Sequence, residues 1–282
     1  MENKKLFTTT QVAVVVAQFN MWPEISLVKD QCKRELILDG KAVSDKIEKG
    51  GLDEEIYELK ELHFLRISET CLSKIDPKIS LLAENLTDLV LHHNKLSSLP
   101  DSVGDLVKLK LVDLSWNEFG TFPQPLCSLE NLLTLNISQN QIETIPVEVS
   151  GMANLHELYV SGNKLSSLPD SLSKLELLAT LQADHNRIAE LPGNVSEIRA
   201  LKALHLFDNV LTDLPASLVL LDKLKLLDLR GNKFKDRRLL KLANVEQTQP
   251  KGVFKHLKPI YDKECASGEL DLQKVLKFTP KL

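Results

Sequence analysis

Seven histidines and four cysteines are the residues that could do chemistry in this 282-residue chain. His92 and His93 are adjacent, in LVLHHNKL. His205 and Asp228 lie one step apart in a recurring pattern, with Asp184 on the diagonal. A histidine pair is the start of a metal site, and a histidine beside a carboxylate is the start of an oriented general base. Both ideas meet obstacles in the sequence. Zinc needs three or four ligands around one ion, and adjacent residues on a strand point to opposite faces. Glu69 is the one further donor that the pattern places near the pair. His205 and Asp228 have no nucleophile: Ser161 is two steps away and no cysteine shares their face. The expectation is no metal, no cofactor and no catalytic residue. The cysteines, Cys32, Cys71, Cys127 and Cys265, are irregularly spaced and form no C-x-x-C. This predicts reduced thiols and a cytoplasmic setting.

The elements that position these residues are visible as a repeat. Asparagine recurs at 94, 117, 140, 163, 186, 209 and 232, and proline at 100, 123, 146, 169, 192 and 215, with one period of 23. Around each asparagine the text reads L-x-x-L-x-L-x-x-N-x-L, as in LLTLNISQNQI and LHELYVSGNKL. A degenerate copy at 62–72 has Thr70 in the asparagine slot, which makes about eight units. This is the leucine-rich repeat signature. It predicts an α/β solenoid with a curved parallel sheet on the concave face and helical caps. Leucines of the strand point inward, the asparagines bond to backbone at the turn, and prolines fix the return segment. The expected organisation is an extension at 1–20, a helical N-cap at 21–59, repeats at 60–234, and a cap with a basic tail at 235–282. WPEISLVKDQCKRELILDG (22–40) is expected to be one helix. Pro23 begins it, Ile25, Val28, Cys32 and Leu36 share one face, and Gly40 stops it. A second short helix is expected within 44–59, and another in KFKDRRLLKLANV.

Composition bounds the rest. No apolar run reaches the roughly 18 residues needed for a membrane helix. QVAVVVAQF (11–19) has the apolar character of a signal-peptide core but is short, and an ordered extension or a disordered leader is preferred. The sequons at Asn85, Asn136 and Asn194 are read as chance. The net charge is −4, but residues 233–282 hold 12 Lys and Arg against 6 Asp and Glu, a net of +6. That leaves −10 for the body. A solvated capping segment is the simpler account of the tail. The alternative is contact with RNA, a ribosome-associated partner or another acidic partner through Arg237, Arg238, Lys251, Lys255 and Lys258.

The residues between and after the inward leucines predict the concave face. Trp116, Tyr159 and Phe207 are aromatic anchors on a small polar lining. With His92, Asp184, His205, Asp208, Asp228 and Arg230 they form the predicted protein-binding surface. The predicted function is therefore a non-enzymatic, monomeric interaction module for a protein partner.

The 23-residue class with L-P after the asparagine resembles intracellular leucine-rich repeat proteins, including Ras-pathway scaffolds. The caps WPEISLVKDQCKRELILDG and LRGNKFKDRRLLKL resemble those of the leucine-rich repeat-containing protein 47 family, over roughly residues 21–243. That family implies a charged linker and a B3/B4-type domain like that of the phenylalanyl-tRNA synthetase β-subunit. No such domain is present before Leu282. The resemblance therefore implies a translation-related role only indirectly, and carries over no catalytic motif.

Overall fold

The structure is a computed structural model that describes residues 21–245 and 250–267. Nine parallel strands form one sheet in chain order. They are β1 (Glu35–Asp39), β2 (Phe64–Ser68), β3 (Asp88–Val90), β4 (Leu111–Asp113), β5 (Thr134–Asn136), β6 (Glu157–Tyr159), β7 (Thr180–Gln182), β8 (Ala203–His205) and β9 (Leu226–Asp228). From β3 onward the register follows the sequence period, Asp88 against Leu111 and Leu111 against Thr134. The same row of each repeat therefore lies on neighbouring strands, about 4.8 Å apart.

The spelling of the repeat accounts for each part of it. The strand leucines, such as Leu89, are fully buried, and so are Leu91 just after the strand and turn leucines such as Leu96. The period proline stands directly before a 3-10 turn in five repeats, for example Asp101–Asp105, Gln124–Ser128 and Val147–Gly151. Its φ of −68° at Pro100 and −72° at Pro146 is the angle the ring imposes, so the extended entry to the turn needs no further ordering. No single unit could enclose its own apolar side chains. Stacking merges them into one core running from Ile25 to Leu257.

The asparagines build a continuous buried ladder. Asn140 Nδ2 donates to the carbonyls of Leu114 and Ile137, each at 3.0 Å, while Oδ1 accepts from the Phe119 N–H at 3.1 Å. Asn163, Asn186, Asn209 and Asn232 repeat this set. At the start of the ladder Thr70 replaces asparagine, and its hydroxyl donates to Asn94 Oδ1 at 2.5 Å.

The caps depart from expectation. The segment 22–40 is not one helix, and the 21–59 cap is not purely helical. Helix α1 (Pro23–Asp30) ends early, Cys32 takes a positive φ of 49°, and Glu35–Asp39 becomes β1. Leu36 and Leu38 alternate inward there, pairing with Leu65 and Ile67, so the sheet has one strand more than the eight repeats expected. Gly40 (φ 75°) begins α2 (Gly40–Gly50) instead of stopping a helix. At the other end α3 (Arg237–Ala243) is capped by Asp236, whose carboxylate accepts from the N–H groups of Arg238 and Leu239. Part of the basic tail is helical. Residues Pro250–Ser267 form α4, which buries Val253, Leu257 and Tyr261 and packs on α3 and the 3-10 turn Ala216–Leu220. Residues 1–20 and 268–282 lie outside the described residues, and the expectations for the extension and the end of the tail fall there.

Candidate functional site: the concave face

The chain turns away from the sheet at the residue before each asparagine. Glu69, His93, Trp116, Gln139, His185 and Asp208 all sit there with φ between 52° and 57°, and Gly162 and Gly231 occupy the same slot at 66° and 70°. From Glu69 to Asp208 the backbone N–H of each residue in this row donates across to the next repeat, as Trp116 does to the Ser138 carbonyl at 3.0 Å. The fold imposes this left-handed conformation whatever the side chain is, at a cost of about 1 kcal/mol for a non-glycine residue. Two glycines in an otherwise variable row were the sequence signal for it.

This turn corrects the geometry expected for the histidines. Strand alternation does not apply at His93, because its positive φ swings the side chain round. His92 and His93 meet, with Nδ1 to Nδ1 at 3.0 Å and rings edge to face at 5.1 Å. One of these nitrogens donates and the other accepts. His93 also stacks on Trp116, centroids 5.2 Å apart and planes 14° from parallel. Trp116 remains 52% exposed, in spite of that stack. Among the described residues no group of three His, Cys, Asp or Glu comes together that could hold a metal ion.

A second cluster spans β7 to β9. His185 and Asp208 are joined at 3.0 Å, and the rings of His185 and Phe207 meet edge to face with centroids 4.9 Å apart. The Arg230 guanidinium lies 5.2 Å from the Phe207 centroid. His205 and Asp228 are register partners, as the row pattern places them. The carboxylate, however, is taken by Arg230, which donates from Nε at 2.9 Å and from a terminal nitrogen at 2.5 Å. Those bonds hold the Asp228 carboxyl below the usual aspartate range. An aspartate committed to an arginine is a poor orienting partner for a base.

Asp184 has a different role. Within their own repeats Asp113, Asn136 and Asp228 accept from the N–H two residues on. The eighth strand has His205 in that slot. The Phe207 N–H instead donates to Asp184 Oδ1 of the preceding repeat, at 2.8 Å. Burial raises the Asp184 carboxyl above the ordinary aspartate range, and the Phe207 N–H offsets part of that. Tyr159, half-buried between the two clusters, is likewise raised, first by burial and then by Glu157.

The basic candidates do not join this face. Arg237 and Arg238 open α3, and Lys251, Lys255 and Lys258 lie on α4, all exposed. The three lysines fall at i, i+4 and i+7, one side of the helix, and Lys258 pairs with Asp262 at 2.6 Å. Among the described residues no helix is long and apolar enough to cross a membrane.

Two family models described as leucine rich repeat match residues 123–165 and 85–106. Solved structures agree with them. A leucine-rich repeat protein of Leptospira interrogans is 30% identical over 69% of this chain and 56% of its own, with a TM-score of 0.56. The leucine-rich repeat ectodomain of the receptor kinase GASSHO1/SCHENGEN3 from Arabidopsis thaliana, solved with CASPARIAN STRIP INTEGRITY FACTOR 2, is 32% identical. That match covers 64% of this chain and 22% of that one, with a TM-score of 0.57. The plant peptide hormone receptor RGFR1, solved with RGF2, is 30% identical over 64% and 34% of the two chains, TM-score 0.55. The chain spans 56% or less of the length of these three proteins. Arrays of this kind are in general protein-interaction modules. Its period, its single parallel sheet and these matches make the chain a leucine-rich repeat protein.

Proposed function

We propose that the concave face binds a protein partner, as a non-enzymatic and monomeric module working in the cytoplasm. The observation that carries this is the exposed Trp116, held by the His93 stack, on the same open sheet as Tyr159 and Phe207. A ring fixed in place before binding loses little freedom on contact, which is what a recognition anchor needs. Trp116 and Phe207 stand four strands apart, about 19 Å, so one partner segment can touch both. The cytoplasmic setting rests on the four free cysteines. The caps further favour membership of the leucine-rich repeat-containing protein 47 family over the Ras-pathway scaffold type. The test is retention from cell extract by the wild type, by Trp116→Ala with Phe207→Ala, and by a convex control, Val147→Ala. The proposal expects partners lost only with the first variant. An identical set on all three would refute it.

A second reading, contact with RNA or another acidic partner, rests on the one-sided lysines of α4. Salt-sensitive RNA retention lost in Lys251→Glu with Lys255→Glu would support it. RNA retention unchanged by those substitutions would remove it.

A further inference from the structure

The strands that carry Tyr159 and Phe207 differ from the rest of the face in charge. On the floor of β6 to β9 stand Glu157, Asp184, Asp208 and Asp228 against one arginine, Arg230, and two histidines, His205 and the His185 that meets Asp208 at 3.0 Å. Arg230 is ion-paired with Asp228. Asp184 is half-buried and accepts from the Phe207 N–H at 2.8 Å and the Ser161 hydroxyl at 3.4 Å, with His205 and His185 near enough to act on its charge and no Lys or Arg hydrogen-bonded to it. The rims have the opposite sign. Exposed Lys202 and Lys225 precede β8 and β9, and exposed Arg187 and Lys233 follow their asparagines. A polybasic segment would meet those rims with like charge. A single cation could pass between them to the floor.

We propose that the partner inserts one arginine or lysine side chain into the acidic floor beside Phe207, with Asp184 and Asp208 as its counter-charges. This rests on the concave-face reading above and names the chemistry of its partner. The walls suit such a guest. Phe207 already receives the Arg230 guanidinium at 5.2 Å, so the ring is placed for cation contacts, and Tyr159 lies on the neighbouring strand to Asp184. A carboxylate drawn out of water without a cation gains most when one arrives. The basic rims select for acidic or neutral residues on either side of the inserted cation. A nucleic-acid strand has the wrong sign for the floor.

The probes are three random 12-residue peptide libraries whose central residue is fixed as Arg, Glu or Leu, selected on the full chain. The variant is Asp184→Asn with Asp208→Asn. Asparagine at 184 keeps an acceptor for the Phe207 N–H, and at 208 it tolerates the positive φ. Binders are expected from the Arg library, enriched in flanking Glu and Asp, weakened about tenfold by the variant. The same binders should be lost in Trp116→Ala with Phe207→Ala. If binders come instead from the Leu or Glu library and ignore Asp184→Asn with Asp208→Asn, yet still need Trp116 and Phe207, the cation is refuted and the concave face stands. Binders indifferent to both variants refute the concave face itself. An Arg library that yields no binder overturns the inserted cation.

Discussion

Asn140→Ala measures what the asparagine ladder contributes. Asn140 makes hydrogen bonds to Leu114, Ile137, Ser138 and Phe119, which suggests a loss of four bonds. The geometry argues for less. The Leu114 carbonyl also accepts from Asn117 at 3.0 Å, and the Ile137 carbonyl from Asn163 at 3.0 Å. The Ser138 carbonyl keeps the Trp116 N–H. Only the N–H of Phe119, a fully buried residue, loses its acceptor. One orphaned buried N–H costs about 1–3 kcal/mol, and three weakened carbonyls add a fraction of that. The expected loss is therefore about 2–3 kcal/mol in equilibrium urea unfolding, with the midpoint shifted and the slope unchanged. Amide hydrogen exchange should localise the effect, with the Phe119 N–H losing protection ahead of its neighbours. A loss under about 0.5 kcal/mol, or unchanged Phe119 protection, would mean that the ladder is not what satisfies the turn.

Three further outcomes follow from the same geometry. At the left-handed turn, Gln139→Gly should stay within about 0.5 kcal/mol of wild type, relief of strain offsetting added freedom in the unfolded chain, while Gln139→Val should lose about 1–2 kcal/mol; thermal unfolding distinguishes them. Asp184 has a folded-state carboxyl raised by burial, so its ionised form lowers stability above that value, and protonation restores stability as pH falls through it. Asp184→Asn should equal or exceed wild type at neutral pH, with the difference vanishing below the ordinary aspartate range, whereas Asp184→Ala should lose about 1–2 kcal/mol by orphaning the Phe207 N–H. Burial pushes the Cys127 thiol up to about 11, so a thiol reagent at pH 8 should modify exposed Cys32 in the folded protein and reach Cys127 only on unfolding.

What the sequence revealed and what it hid have separate causes. The array was legible because each unit repeats one solution to one problem. Leu89 and Leu135 are buried for the same reason, and Asn117 and Asn186 bond alike. The first strand was hidden by an accident of spacing. Ile25, Val28, Cys32 and Leu36 keep a helical period across a break at Gln31, where the helix ends, and Cys32 is in fact exposed. The alternation in ELILD was the better guide, with Leu36 and Leu38 inward and Ile37 exposed. Helix α4 was obscured by its charge and by Pro259, although Val253, Leu257 and Tyr261 already fall at i, i+4 and i+8. The meeting of His92 with His93 was not readable from alternation at all, because backbone handedness and not strand geometry aims His93. Likewise, nothing local announced that Asp184 serves the N–H of the next repeat. That bond stands in for the one Asp228 gives Arg230 within its own repeat, where the repeat of Phe207 has His205.

The concave face as recognition surface is tested most directly by site-specific photocrosslinking. A benzoylphenylalanine at Ser138, between Trp116 and Tyr159 on the inner face, is compared with one at Glu148 on the outer 3-10 turn. The account predicts a discrete crosslinked partner from position 138, competed away by excess wild-type protein and missing from position 148. Equal adducts at both positions, or adducts at 148 alone, would contradict it.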